Sequence, residues 1–585
     1  MSMNRLCIIL ALAFITATTA HAKKPLKVYI LVGQSNMQGH AKATTIPSMA
    51  LDPASKALHA KIVDENGKPR VYKNVSIAAF SGKSKHGPLT VGYGGYLTSD
   101  DVLGPELGFG ITMGEKSDEP ILLIKTSWGG KSLHTDFRSP SAGKKELAER
   151  DLEHLMKKNG YSSLEEARKK GPGHYYRLMM KHTKTVLADP GKFCAAYDPK
   201  QGYEIAGFVW FQGFNDMIAS YPLIDEKKGR KSAKDYSEYS RLLACLIRDV
   251  REELKTPKIP FVIGVIGTGG GGTTTFRQAM AAPAEMPEFK GNVAAVNTAQ
   301  FWDPKLAEAT KVLEKMNRAS GSTWGWSRDS ILNKKGSIAA GWDAVGVPDP
   351  TERQWRFTSF KRDPEKQYRP LNKGEKGDEI IFYDEVPDNQ KDWYKTDFDD
   401  TGWKTGLSPI GKGIWDLGKG KILKNNSDWG DGDILLMRTT FELPTLNYLK
   451  YRVCIMAKGS YHLYLNGQKI KTYVWYNGKP AYRAPRLSVD LSKLLKKGTN
   501  HLALYTNLTK DRGGKYASSV DVMIEGMTEE GKVRRQKLMD SKCPPEIRKI
   551  AAGASNKEYH YMGSAKIYSR IGEAFADAMM QLGRK

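Results

Sequence analysis

Five short apolar runs rich in Val, Ile and Leu, at residues 27–32, 121–125, 206–211, 261–266 and 293–297, restrict the folds open to this chain more than any other feature. Each has the length of a strand and lacks polar alternation, the mark of a strand buried on both faces. Helical stripes lie between them, most clearly Tyr239, Leu242, Leu243, Leu246, Ile247, Val250 and Leu254, at the i, i+3, i+4, i+7 spacing of an amphipathic helix. Strands that alternate with helices are joined by crossovers, so the expected fold is α/β with a parallel sheet. A last stripe, Ile567, Ile571, Phe575, Met579 and Leu582, predicts a packed helix at the end of the chain. Residues 139–187 are charge-rich and helical in pattern, and they stand where a short connection would serve. They read either as a helical cap beside the site or as a surface elaboration.

At 585 residues the chain is too long for one ordinary core. From about residue 349 the texture becomes short alternating strands, turns and aromatics, and near Val533 the helical texture returns. Asn466-Gly467 between two such runs predicts a hairpin, since both residues tolerate positive φ. An all-β block inside an α/β chain is read as an inserted domain, which costs little closure entropy in a surface loop. The expected division is a signal peptide over 1–22, a parallel-sheet α/β domain over 23–348 and 533–585, and the β insertion over 349–532.

The first residues carry a basic Arg5, an apolar run from Leu6 and an Ala-His-Ala end, the order of a cleaved secretory signal. The run falls short of the roughly 20 apolar residues that cross a bilayer, and no later segment reaches that length, so no membrane span is expected. Export to the periplasm or the medium is the consequence. Cys194, Cys245, Cys454 and Cys543 are widely spaced without a CxxC pair, which admits at most one or two bridges and no zinc knuckle. The formal net charge of +26 attracts polyanions. No nucleic-acid motif accompanies it, so no nucleic-acid partner is expected, and the charge is read as a lysine-rich surface, with an acidic or sulfated glycan as the weaker alternative.

The first strand runs into KVYILVGQSNMQGHA, which puts Ser35 at the carboxyl edge of the sheet, where α/β folds hold their reacting groups. Most serines in such turns cap helices, so the assignment depends on the loops that leave the later strands. After the second comes KTSWGGKSL, whose Gly129 and Gly130 let backbone N–H groups approach a ligand. After the third comes FVWFQGFNDM, where Gln212 and Asn215 offer amide donors to an oxyanion. NKEYHYMGSAK places His560 just before the last helix. GTGGGGTTTF from Gly267 lacks the Gly-Lys-Ser/Thr ending of a nucleotide P-loop and is read as a flexible wall of the cleft.

The segments GQSNM, WGGKSL, QGFND and EYH fall in the order of the block motifs of SGNH hydrolases. Over roughly residues 25–345 and 535–585 the chain resembles the sialate O-acetylesterase-like branch, which includes the carbohydrate esterase family six acetyl esterases. The resemblance implies a flavodoxin-like three-layer fold and removal of acetyl groups from sugars without a metal or organic cofactor. It makes Ser35 the nucleophile and His560 the base, with an oxyanion hole drawn from Ser35, Gly129 or Gly130, and Asn215, Gln212 standing as the substitute. The chain departs from the pattern at Lys557, where the family carries Asp; Glu558, two residues before His560, becomes the expected acid. Asp303, or a Ser-His dyad with no acid, are the alternatives. In serine protease templates a faulty acid lowers turnover by about 10⁴.

The β block, with WYKTDFDDTGW, LLMRTTFEL, YLNGQKI and LKKGTNHLAL, resembles a galactose-binding-like jelly roll of the kind appended to glycoside hydrolases. Trp393, Trp403, Trp415 and Trp475 offer ring faces to sugars, although each taken singly is read first as core. Two functional readings stand. One is a secreted serine esterase acting on an acetylated carbohydrate or polysaccharide, and the other a glycan-binding protein on an inactive esterase scaffold. The nucleophile segment has no GxSxG elbow, which argues against a lipase.

Overall fold

In the computed structural model the run LKVYILVG forms β1 (Leu26–Gly33), and Val28, Ile30, Leu31 and Val32 are completely buried. The structure describes residues 24–219, 221–222, 224, 234–272, 274–319, 341–346, 353–361, 369–370, 381–382, 386–413, 415–418, 421–423, 425–457, 460–473, 484–485, 487, 489–508 and 518–583. The expected signal segment 1–22 lies outside them. Two compact units are present, one of residues 1–156, 161–304 and 552–585, the other of 157–160 and 305–551.

In the first unit β1 is followed by β2 (Tyr72–Ser81), β3 (Lys83–Leu89), β4 (Ile121–Ser127), β5 (Tyr203–Phe211), β6 (Phe261–Val265) and β7 (Val293–Asn297). They form one sheet in the order β3-β2-β4-β1-β5-β6-β7, parallel except for the β2–β3 hairpin. The five apolar runs are all strands. β2 and β3 have no counterpart in the sequence reading, because Ser76 and the small Ala78 and Ala79 interrupt the apolar run of β2, while β3 alternates Lys, Ser and His along an edge.

Both faces of the sheet are covered. Val28, Ile30 and Val32 share a core with Tyr176, Met179 and Met180 of α3 (His174–Ala188) and with Tyr239, Leu242 and Leu246 of α4 (Ser237–Glu253). On the opposite face Tyr29 meets Phe109 of α2 (Pro105–Glu115) edge to face at 5.5 Å, and α2 packs against α5 (Ala565–Gly583). Ile567, Ile571, Phe575 and Met579 of the α5 stripe are buried, as their spacing predicts, and Leu582 at its end is half-buried. This is a three-layer α/β fold of the flavodoxin type. Segment 139–187 contributes α3 to a covering layer, as a parallel crossover requires, and carries two further helices, Glu149–Asn159 and Leu164–Lys170, before it.

Strand order decides where the site lies. The chain lays β2, β3 and β4 on one side of β1 and then crosses to lay β5, β6 and β7 on the other. The loops leaving β4 and β5 therefore part on either side of the loop leaving β1, which opens a crevice at the carboxyl ends of the strands.

The second unit holds two largely antiparallel layers, the one parallel pair among the described residues of these layers being Ile410–Lys412 with Ser427–Asp428. The order Lys404–Leu407, Gln354–Phe360, Ile434–Leu443, Gly498–Asn507, Tyr461–Leu465, Gln468–Tyr473 makes one sheet, and Ser518–Met527 pairs with Asp343–Val345, Ile410–Lys412 and Lys450–Ala457 in the other. Leu435, Met437 and Leu504 of the first meet Val453, Ile455, Val522 and Ile524 of the second in one core. Asn466 and Gly467 take φ of 49° and 82°, the hairpin turn their pairing predicts. Trp393 and Trp403 are buried with Leu436, Tyr464 and Tyr505, so their rings face protein. Trp475 and the side chain of Trp415 lie outside the described residues. Cys194, Cys245, Cys454 and Cys543 are buried free thiols. Among the described residues no helix is long and apolar enough to cross a membrane.

Candidate active site

Ser35 opens the short helix α1 (Ser35–Gln38) directly beyond β1 and is 9% exposed. Gly129, beyond β4, lies against it: a Cβ placed on Gly129 would stand 3.6 Å from Ser35 Cβ and only 2.8 Å from Gln38 Oε1. Glycine is what allows that backbone to come so close.

On the other flank, Gln34 organises the loop beyond β5. Its Oε1 accepts from the N–H groups of Gly213 and Asn215, both at 3.3 Å, and from Gln212 Nε2 at 3.1 Å, while its Nε2 donates to Asn215 Oδ1 at 3.1 Å. With its carbonyl oxygen tied, Asn215 presents its NH₂ as the free end of the amide. Gln212 is placed differently. It is buried, its Nε2 lies within donating distance of Gln34 Oε1, Lys131 O and Asp216 Oδ2, and its Oε1 accepts from Tyr239.

Asp216, which the sequence reading passed over inside QGFND, fastens the β4 and β5 loops together. Its buried carboxylate accepts from the backbone of Leu133 and His134, from Gln212 Nε2 and from Tyr221 OH. Burial pushes this carboxyl up, and His134 and the donors oppose that rise.

His560 arrives on the turn Glu558–Gly563, where three successive residues, Tyr561, Met562 and Gly563, have φ of 48°, 59° and 58°. Left-handed backbone at non-glycine residues costs roughly 1–2 kcal/mol each and persists only where surroundings impose it. Here they do. Tyr561 and Met562 are fully buried, and the Tyr561 hydroxyl accepts from Gly267 N at 2.7 Å and bonds Thr298 at 2.5 Å. Gly563 cannot be replaced cheaply, because a Cβ there would stand 2.6 Å from Asn556 Cβ.

This turn packs on α1. The residues beside Ser35 and His560 are bonded to each other, Asn36 Nδ2 donating to Tyr559 O at 3.2 Å, while Tyr568 of α5 donates to Asn36 Oδ1 at 3.0 Å. The His560 ring stacks on His40 at 4.2 Å and 14°, and its Nδ1 lies 3.1 Å from Asn556 Oδ1. Burial first, and the His40 ring second, hold His560 down to about 3; burial and then Lys125 hold His40 at about 4. Both imidazoles are therefore neutral over the ordinary pH range. Rings continue the row on either side, with Tyr96 beside His40, Tyr559 beside His560 and Phe214 beside Tyr559, and Tyr96 and Tyr559 are 57% and 45% exposed.

Ser35, Gly129, Asn215 and His560 are thus gathered around one sheet edge, with Gly130 next along the same loop at φ 72°. Glu558 begins the turn that carries His560, whereas Asp303 bonds Lys566, which also holds Asp52 at 3.0 Å. The glycine loop from Gly267 is not a free wall. Arg277 donates to the carbonyls of Ile266, Thr268, Gly270, Gly271 and Gly272, so the loop turns its oxygens onto a guanidinium instead of offering N–H groups to an anion. Gln34 and Asn36 sit within the GQSNM block and Asp216 within QGFND, positions where the motif itself was the available signal; His40 and Asn556 had none beyond nearness to Ser35 and His560.

A six-stranded parallel core with a serine loop at its switch point, flanked by glycine and asparagine loops, defines a hydrolase domain of the SGNH type. More particularly, residues 25–305, just under half of the chain, match the family described as carbohydrate esterase, sialic acid-specific acetylesterase. The match ends before the segment that carries His560. A protein of known structure from Arabidopsis thaliana is 17% identical, with 47% of this chain and 86% of that one covered and a TM-score of 0.26. A carbohydrate acetylesterase from Xanthomonas citri is 13% identical over 47% of this chain and 51% of its own, with a TM-score of 0.27. A β-glycosidase from Bacteroides vulgatus is 14% identical over 31% and 20%, with a TM-score of 0.18. The chain thus spans about half of the acetylesterase and a fifth of the glycosidase. No curated protein matches it significantly.

Proposed function

We propose that the chain is an exported serine esterase that removes O-acetyl groups from carbohydrates through an acetyl-enzyme. The observation that carries this reading is the junction of two segments more than 500 residues apart, through the Asn36–Tyr559 hydrogen bond and the His40–His560 stack. Such a junction supports a role for Ser35 with His560 as its base. His560 Nε2 takes the Ser35 proton as Oγ bonds the acetyl carbonyl carbon, and the negative oxygen faces the N–H groups of Ser35 and Gly129 and the amide of Asn215. The carbon–oxygen bond to the sugar then breaks, and the sugar oxygen leaves with the proton from His560. Water, deprotonated by the same nitrogen, attacks the acetyl carbonyl, and acetate departs as Ser35 regains its proton.

The exposed rings of Tyr96 and Tyr559 on the rim support a sugar as the acyl carrier, since their apolar faces match the C–H faces of a pyranose. Residues 1–22 are proposed as the export signal and residues 349–532, within the second unit, as a galactose-binding-like sandwich. The alternative of a glycan-binding protein without activity draws on the uncharged Asn556 beside His560. Acetate release from aryl acetates and from a panel of acetylated polysaccharides decides between the two. Turnover that Ser35→Ala abolishes in a folded protein is expected; glycan binding without any acetate release would support the alternative instead.

A further inference from the structure

The imidazole of a serine hydrolase needs a partner on Nδ1 that fixes its tautomer and ring angle, and in the expected pattern that partner is a carboxylate. In this chain the atom beside His560 Nδ1 is an amide oxygen, Asn556 Oδ1, at 3.1 Å. Which end of the amide faces the ring is settled by a second bond: the same Oδ1 accepts from Lys557 N at 2.8 Å, so the oxygen, and not the NH₂, is turned this way. An acceptor opposite Nδ1 requires the proton to sit on Nδ1, which leaves the lone pair on Nε2.

Asn556 is itself held. Its backbone N–H donates to Met562 O at 2.9 Å, Ser555 N donates to the same oxygen at 2.8 Å, and the close approach of Gly563 closes the turn against its Cβ. The left-handed residues 561–563 thereby bring the chain back over Asn556, so the backbone strain holds Asn556 and His560 in one small ring of chain. His40 stacks on a face of the imidazole.

We propose that Asn556, one residue before the position at which the family carries its Asp, is the positioning residue for His560, an uncharged orienting group on Nδ1; this rests on the esterase reading above. Asn556 fixes the Nδ1–H tautomer but brings no negative charge to stabilise the imidazolium. The ionisable groups around the ring are His40 stacked on it, Tyr559 at its edge, Lys557 and Glu558 on its own turn, and Lys125, which acts on His40.

The test uses the full chain with Asn556→Ala, Asn556→Asp and, for assignment, His560→Gln. Nitrogen NMR of labelled histidine reads the His560 tautomer, and the pH dependence of kcat/KM on an aryl acetate reads its basicity. Expected are an Nδ1–H tautomer in the parent, its loss in Asn556→Ala with a fall of about 10²-fold in kcat/KM, and its retention in Asn556→Asp with the acid limb moved up by about one pH unit or more, because a carboxylate favours the charged ring. An unchanged tautomer and rate in Asn556→Ala, or an unmoved acid limb in Asn556→Asp, would overturn the proposal. If Asn556→Ala fails to fold, the near-isosteric Asn556→Asp decides alone. A parent that hydrolyses no acetate refutes the esterase reading, and the tautomer spectrum then still decides the role of Asn556.

Discussion

Asn215 and Gln212 lie three residues apart with the same functional group, and the structure separates them by what each amide already holds. Asn215 has its oxygen tied to Gln34 and its nitrogen end available, while Gln212 is surrounded by protein acceptors. On the proposed mechanism Asn215→Ala lowers kcat on an aryl acetate by about 10²–10³ with little change in KM, the loss typical of one oxyanion donor. A fall smaller than tenfold would remove Asn215 from the hole. The two stacked imidazoles carry a second consequence. His40 and His560 have folded values near 4 and 3, against 6.5 when unfolded, so between those limits the unfolded chain binds protons that the folded chain does not. Their contribution is complete above about 6.5 and is lost as pH falls through 4 toward 3. The melting temperature is expected to drop across that window, with a shallower slope in His40→Phe; an identical slope in that variant would contradict the assignment.

At the scale of elements, the loop beyond β1 is held from below by a buried ion pair. Lys125 of β4, whose ammonium burial pushes down, bonds Glu106 of α2 at 2.7 Å and donates to the carbonyls of Gln38 and Tyr93 at 2.9 Å each. One side chain thus links a strand, a helix and the end of α1. Lys125→Met leaves Glu106 buried without its cation and is expected to cost about 3–5 kcal/mol in urea unfolding. Pairing it with Glu106→Leu is expected to recover much of that loss; no recovery would show that the two carbonyls, and not the carboxylate, set the cost. This pairing was hidden in the sequence, where Lys125 reads only as the polar end of an apolar run. The five strands with unbroken Val, Ile and Leu were legible because burial on both faces leaves no alternation to confuse, whereas β2 and β3 escaped because small and polar residues occupy them. The His560 turn was legible in position but not in shape, since nothing in EYHYMG announces three left-handed residues in a row; the buried Tyr561 and its partners in two other loops impose them.

Across the whole molecule, the sequence displayed the site as four motifs in chain order, and the strand order turned that list into a place, since β4 and β5 flank β1. What the motifs could not disclose were the side chains that hold one segment to another: Gln34 to Asn215, Asn36 to Tyr559, His40 to His560 and Asn556 to His560. Each is a contact between surfaces that only the folded chain brings together. The reading that ties them is that Ser35 is made nucleophilic by His560, and covalent labelling reads this directly. An alkyl fluorophosphonate, with peptide mass spectrometry to locate the label, is expected to modify Ser35 alone in the parent protein and to leave it unmodified in a folded His560→Gln variant. Label on another serine, or on Ser35 at an undiminished rate without the imidazole, would contradict the account.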